Sequence, residues 1–143
     1  MPGFWPVFPK DWIVRVSHDD VEMDSGLNRI EAFRARRARQ NERVFEIDHL
    51  GIRRFFRLDS AAYEPGALDA RTKELMGLVA SAVLRCDDCV DYHLDQCIDA
   101  GVTDDELYDA LNVALVVGGS IVIPHLRHAV ESIDLIRASD EAR

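Results

Sequence analysis

Four side chains between Glu74 and His93, in the stretch ELMGLVASAVLRCDDCVDYH, have the types and spacing to act together: Glu74, Cys86, Cys89 and His93. Cys89 and His93 are four residues apart, so on one helix they sit about 40° apart around the axis, one above the other. A histidine in that place can take the thiol proton. Cys86, three residues before Cys89, falls on the same face, and Arg85-Cys86-Asp87-Asp88 reads as the turn into the helix. Both sulfurs then lie near a helix N-terminus, where free N–H groups and the helix dipole favour a thiolate, the form that attacks peroxides and disulfides. Asp87 and Asp88 oppose this, because neighbouring negative charge disfavours the thiolate.

Zinc is the rival chemistry. Cys86, Cys89, His93 and Cys97 share one helical face, but eleven residues of helix rise about 16 Å, whereas tetrahedral zinc holds its ligands within about 2.0 to 2.3 Å of one point. One straight helix cannot supply all four, which leaves only a site built from Cys86, Cys89 and a ligand from another segment. Cys97 by itself reads as a small core residue.

The elements that must position these groups are helical. Apolar residues from Ala70 to Leu84 run almost all round, the pattern of a helix buried on most sides, and a second helix is expected from about Asp87 to Ala100, ending at Gly101. If the two are antiparallel with the turn near Arg85, Leu78 lies opposite His93 and Glu74 one turn beyond, a gap of about 6 Å along the axis that a bridging water would span. A carboxylate inside an apolar helix needs such a partner, unless it faces solvent. Thr103 and Glu106 form a capping box for a helix to about Val117, and a last helix from about Ile121 to Ala138 carries His125 and His128, which read as structural residues. Upstream, a helix is expected from about Leu27 to Phe45. Its six arginines, Arg29, Arg34, Arg36, Arg37, Arg39 and Arg43, read as a solvated face. Another helix is expected over His49 to Ala62 with Leu50, Phe55, Phe56 and Leu58 inward, stopped by Glu64-Pro65-Gly66. Tyr92, beside His93 but on another helical face, is expected to pack. Residues 1–25 hold both tryptophans and three of the five prolines and read as an extended arm.

With 143 residues, 48% of them hydrophobic, the chain is expected to form a single all-α domain over residues 1–143. A net charge of −9 argues against nucleic acid or an anionic membrane as partner. The longest apolar run, Ala110 to Ile123, is interrupted by Asn112, Gly118, Gly119 and Ser120 and is shorter than a membrane span. The opening MPGFWPVFPKDW lacks the charged and unbroken apolar regions of a secretory signal. Three cysteines, two of them in CxxC, fit a reducing compartment, so a cytoplasmic location is expected.

The stretch LDARTKELMGLVASAVLRCDDCVDYHLDQCIDAGVTDDELYDALNVALVVGGS resembles the core of the carboxymuconolactone decarboxylase and AhpD-like alkylhydroperoxidase superfamily. The likeness covers roughly Leu68 to His128, within a core motif region of residues 68–130. Its specific part is the AhpD-type spacing of Glu, eleven residues, CxxC, three residues and His, met by Glu74, Cys86, Cys89 and His93. The resemblance implies an AhpD-like bundle of about six helices whose central antiparallel hairpin carries CxxC, assembled as a homo-oligomeric trimer or hexamer. It implies reduction of a hydroperoxide with electrons from a dithiol or protein reductant, and no metal or organic cofactor. Carried over, Cys89 is the peroxidatic thiol, Cys86 the resolving thiol, His93 the base and Glu74 its proton relay. AhpD proteins carry a histidine between the two cysteines where Asp88 stands here. The branch that decarboxylates muconolactones lacks the CxxC pair, so its presence speaks against that activity. A lyase using His93 and Glu74, and a non-catalytic oligomeric redox sensor, are the alternatives.

Overall fold

Asn28 starts the first helix because its side chain accepts from the backbone N–H groups of Ile30 and Glu31 while the Glu31 carboxylate returns to the Asn28 N–H, a complete capping box. The computed structural model describes residues 27–142, so the arm expected over residues 1–25, with His18, lies outside the described residues. Helix α1 spans Arg29–Phe45, α2 Leu50–Ala62, α3 Ala70–Val83, α4 Asp87–Asp99, α5 Asp104–Gly118 and α6 Ile123–Glu141, the last preceded by a 3₁₀ turn at Ser120–Val122. Among the described residues the fold is an all-α bundle of six helices. None of these helices is long and apolar enough to cross a membrane.

The core forms where α3, α4, α5 and α6 meet, around Leu78, Leu94, Leu107, Leu111, Ile133 and Ile136, with Ile30 of α1 closing one side. Cys97 is fully buried among them. Two tight reversals set the register of α4. At its C-terminal end Gly101, at φ 80°, takes the left-handed position, and the Gly101 and Val102 N–H groups bond to Ile98 and Cys97 oxygens. At the α3–α4 junction the same motif is built on Arg85, at φ 61°, with the Arg85 and Cys86 N–H groups returning to Ala82 and Ser81. A non-glycine residue there costs about 1 kcal/mol, and the cost falls on the residue next to Cys86.

Two expectations about α1 and α2 are corrected. The arginine face of α1 is not merely solvated: Arg29 bonds Asp91, Arg34 bonds Asp95, Arg36 bonds Asp88, and the Arg37 guanidinium lies 4.2 Å from the centre of the Tyr92 ring. The acidic partner of that face is α4 of the same chain, so α1 is fastened along α4 by charge. Helix α2 does not turn its apolar side inward. Phe55 and Leu58 are 67% and 68% exposed and Leu50 is also exposed, while Phe56 alone of the four makes a ring contact, 4.9 Å edge-on to Phe45. Helix α2 contributes no buried residue to the core.

Candidate functional site

Cys86 is the N-cap residue of α4, and its sulfur accepts the Cys89 N–H at 3.3 Å. The two cysteines are joined by a disulfide, with Cα atoms 5.2 Å apart. Both are half-buried. One turn further along α4, His93 points back toward α3, where its Nδ1 lies 2.8 Å from Glu74 Oε2. Each residue of this pair is 8% exposed. The contact is direct and needs no bridging water. The register differs from the ideal hairpin because the imidazole rests on Gly77 and not on Leu78: a Cβ at position 77 would stand 2.5 Å from His93 Cε1. Gly77 is three residues from Glu74, on the same helical face, which removes the expected gap.

A carboxylate on Nδ1 makes that nitrogen the proton-bearing one and leaves Nε2 as the acceptor. Nε2 faces the hydroxyl of Tyr63, 3.4 Å away, with the two ring centres 5.3 Å apart. Tyr63 caps the C-terminus of α2, and nothing in the sequence marked it: it belongs to no motif, and its neighbours Glu64-Pro65-Gly66 read only as a helix stop. What holds it in place is Lys73, next to Glu74. Its ammonium bonds the carbonyls of Ala62 at 2.9 Å and Glu64 at 2.5 Å, holding the end of α2 on α3 with Tyr63 between them.

Cys89, His93 and Tyr63 line one cleft of about 330 Å³, which Phe33, Arg36, Arg37 and Gln40 of α1, Asp59 of α2, and Asp88 and Tyr92 of α4 complete. Burial, then the charges of Glu74 and Asp59, push the Tyr63 phenol above its ordinary pKa, so it stays a donor. Tyr92 packs as expected, its ring meeting that of His93 edge-on at 5.1 Å, and it also forms a wall of the cleft. Asp87 and Asp88 do not face the sulfurs unpartnered, since His125 Nδ1 lies 2.7 Å from Asp87 and Arg36 lies 3.0 Å from Asp88. His128 sits elsewhere: with Arg29 and Ser132 it surrounds the buried Asp91 carboxylate, at 2.9, 3.0 and 2.5 Å respectively, and so ties α1, α4 and α6 together. Cys97 is apart from the cleft, its thiol pKa pushed up to about 12 by burial. Among the described residues no three His, Cys, Asp or Glu side chains converge as a metal site.

Comparison with known proteins shows the family and the fold. A model of the carboxymuconolactone decarboxylase family matches residues 52–132, which takes in most of α2 and Tyr63 as well as the hairpin. A Thermotoga maritima crystal structure of a protein of that family, for which a role in the antioxidative response has been suggested, is 55% identical. It covers 78% of this chain and 94% of its own, with a TM-score of 0.74. A family member from Legionella pneumophila, 24% identical over 75% of this chain and 92% of its own, shares the fold with a TM-score of 0.63. An uncharacterized protein of the cox locus of Paracoccus denitrificans is 28% identical over 57% of this chain and 74% of its own length.

Proposed function

The chain belongs to the carboxymuconolactone decarboxylase family, and from that premise we propose that it is a thiol-dependent hydroperoxide reductase or disulfide oxidoreductase of the AhpD-like kind. The observation that carries this reading is that Cys89, disulfide-bonded to Cys86 at the N-terminus of α4, shares a cleft with a histidine whose far nitrogen is held by a buried carboxylate. The antioxidative role suggested for the Thermotoga maritima relative points the same way.

In the reaction, the reduced Cys89 thiol gives its proton to His93 Nε2, and Glu74 stabilises the imidazolium that results. The thiolate attacks the outer oxygen of the hydroperoxide; an S–O bond forms, the O–O bond breaks, and the departing alkoxide takes up a proton to leave as the alcohol. The Cys86 thiol then attacks the Cys89 sulfenic acid, forming the disulfide and releasing water. A dithiol donor returns both thiols and is itself oxidised to a disulfide. Cys89→Ser abolishes turnover with a dithiol and tert-butyl hydroperoxide; unchanged turnover in that variant would refute the proposal.

The Glu74–His93 pair is complete without sulfur, which keeps a lyase on the same scaffold as the second reading. Activity on a carbonyl substrate that survives alkylation of both cysteines would identify it.

A homo-oligomer is part of the proposal. Helices α3 and α5 border an apolar groove of about 570 Å³ lined by Leu75, Met76, Val79, Val83, Val113 and Val117, and Val116 beside it is 78% exposed. Large uncovered apolar faces on a small chain mark association surfaces. A single-subunit mass in light scattering at micromolar concentration would contradict it.

A further inference from the structure

We propose that Tyr63 is a catalytic residue of the peroxide reaction, donating the proton that the leaving oxygen takes up when the O–O bond breaks. This rests on the thiol-peroxidase reading and adds to it the acid that the reading leaves unassigned.

Three independent features of the structure support it. The Tyr63 hydroxyl lies within hydrogen-bond distance of His93 Nε2, the nitrogen to which the proposed reaction gives the Cys89 proton. It opens into the cleft that holds Cys89, where the peroxide must lie. Its position is fixed from outside, by the Lys73 ammonium on the carbonyls at either side of it.

The order of proton movements follows from the hydroxyl having one proton to give. While His93 is neutral, Nε2 is an acceptor and the Tyr63 O–H donates to it. The Tyr63 O–H must turn off Nε2 for that nitrogen to take the Cys89 proton, and the protonated Nε2 then donates to the phenol oxygen. The Tyr63 O–H is thereby released to turn into the cleft, toward the peroxide. As the thiolate sulfur bonds the outer oxygen and the O–O electron pair goes to the inner one, the phenolic proton passes to that inner oxygen and the Nε2 proton passes to the phenol. The products are the alcohol, the Cys89 sulfenic acid, neutral Tyr63 and neutral His93. The proton that left Cys89 is accounted for, and the donor is ready again. The raised phenol pKa keeps Tyr63 protonated through the whole physiological range.

The test uses leaving groups of different proton demand. Pre-reduced wild type and Tyr63→Phe, which keeps the ring and its packing, are each reacted with tert-butyl hydroperoxide, peracetic acid and iodoacetamide, and loss of the Cys89 thiol is timed. An alkoxide leaves only with a proton, whereas acetate and iodide leave without one. Loss of a general acid is expected to slow the tert-butyl hydroperoxide reaction roughly tenfold or more while the other two stay within about twofold of wild type. Equal slowing with all three reagents would overturn the proposal, because Tyr63 would then act only on the thiolate or on the fold. No slowing with any of them would overturn it too. Wild type that reacts with iodoacetamide but not with tert-butyl hydroperoxide would instead refute the peroxidase reading beneath it.

Discussion

His93 Nδ1 meets Glu74 Oε2 at 2.8 Å across the α3–α4 interface, and both residues are buried. In so dry a place the carboxylate fixes the imidazole tautomer and steadies its charged form, as a buried orienting carboxylate does for a catalytic histidine elsewhere. Glu74→Gln keeps the shape and removes the charge. It is expected to slow hydroperoxide-driven oxidation of Cys89 by about 10- to 100-fold, measured by stopped-flow thiol loss. A rate within twofold of wild type, with the fold intact by circular dichroism, would separate Glu74 from the chemistry.

Gly77 makes that contact possible by leaving room for the imidazole. Gly77→Ala would set a Cβ 2.5 to 2.8 Å from three ring atoms of His93, so the ring must move. Overpacking of this kind costs about 1 to 3 kcal/mol, and urea unfolding should show it together with a loss of peroxide reactivity. Normal stability and a normal rate in Gly77→Ala would mean that the ring has other room.

Cys97 should be inert while the protein is folded, since burial pushes its thiol pKa up to about 12. After reduction, iodoacetamide at neutral pH is expected to label Cys86 and Cys89 alone, with Cys97 labelled only in denaturant. Mass spectrometry of digested protein reads this directly. Native labelling of Cys97 would show that the core opens more readily than its packing implies.

The Arg71 guanidinium and then the Thr103 backbone and hydroxyl hold the Glu106 carboxyl at a pKa of about 2, below its ordinary 4.5. A depressed folded-state pKa adds stability that is complete above the unfolded value and disappears as pH falls through the folded one. This contribution is therefore present above about pH 4.5 and lost progressively down to about pH 2. Glu106→Gln should flatten the stability curve in that window and leave its neutral side parallel to wild type. Curves of identical shape for the two proteins would contradict the assignment.

The six helices were legible in the sequence because each rests on local rules, and Glu74, Cys86, Cys89 and His93 stood out as candidates by their motif spacing. Apolar periodicity, Gly101 at a helix end and the Thr103–Glu106 box act within a few residues, and the structure shows the Thr103 box and the Gly101 stop where expected. What escaped depends on contacts distant in the chain. The arginines of α1 look like a solvated face until α4 is laid beside them with Asp88, Asp91 and Asp95 on its near side. Helix α2 has the amphipathic pattern of a core helix, yet whether that side is covered depends on how many other helices already close the core. Tyr63 reaches His93 over thirty residues of chain, through a clamp made by Lys73, and no spacing rule encodes that meeting. The expected water between His93 and Glu74 failed for a smaller reason: an ideal antiparallel hairpin ignores that Gly77, having no Cβ, leaves room for the His93 ring against α3.

The most direct test of the central claim is a thiol titration of the reduced protein before and after one equivalent of tert-butyl hydroperoxide. The account predicts the loss of two thiols per subunit, recovered by a dithiol, with a Cys86–Cys89 linked peptide in the digest and Cys97 still free. Three thiols remaining after peroxide, in protein whose cysteines are otherwise reactive to alkylation, would contradict it.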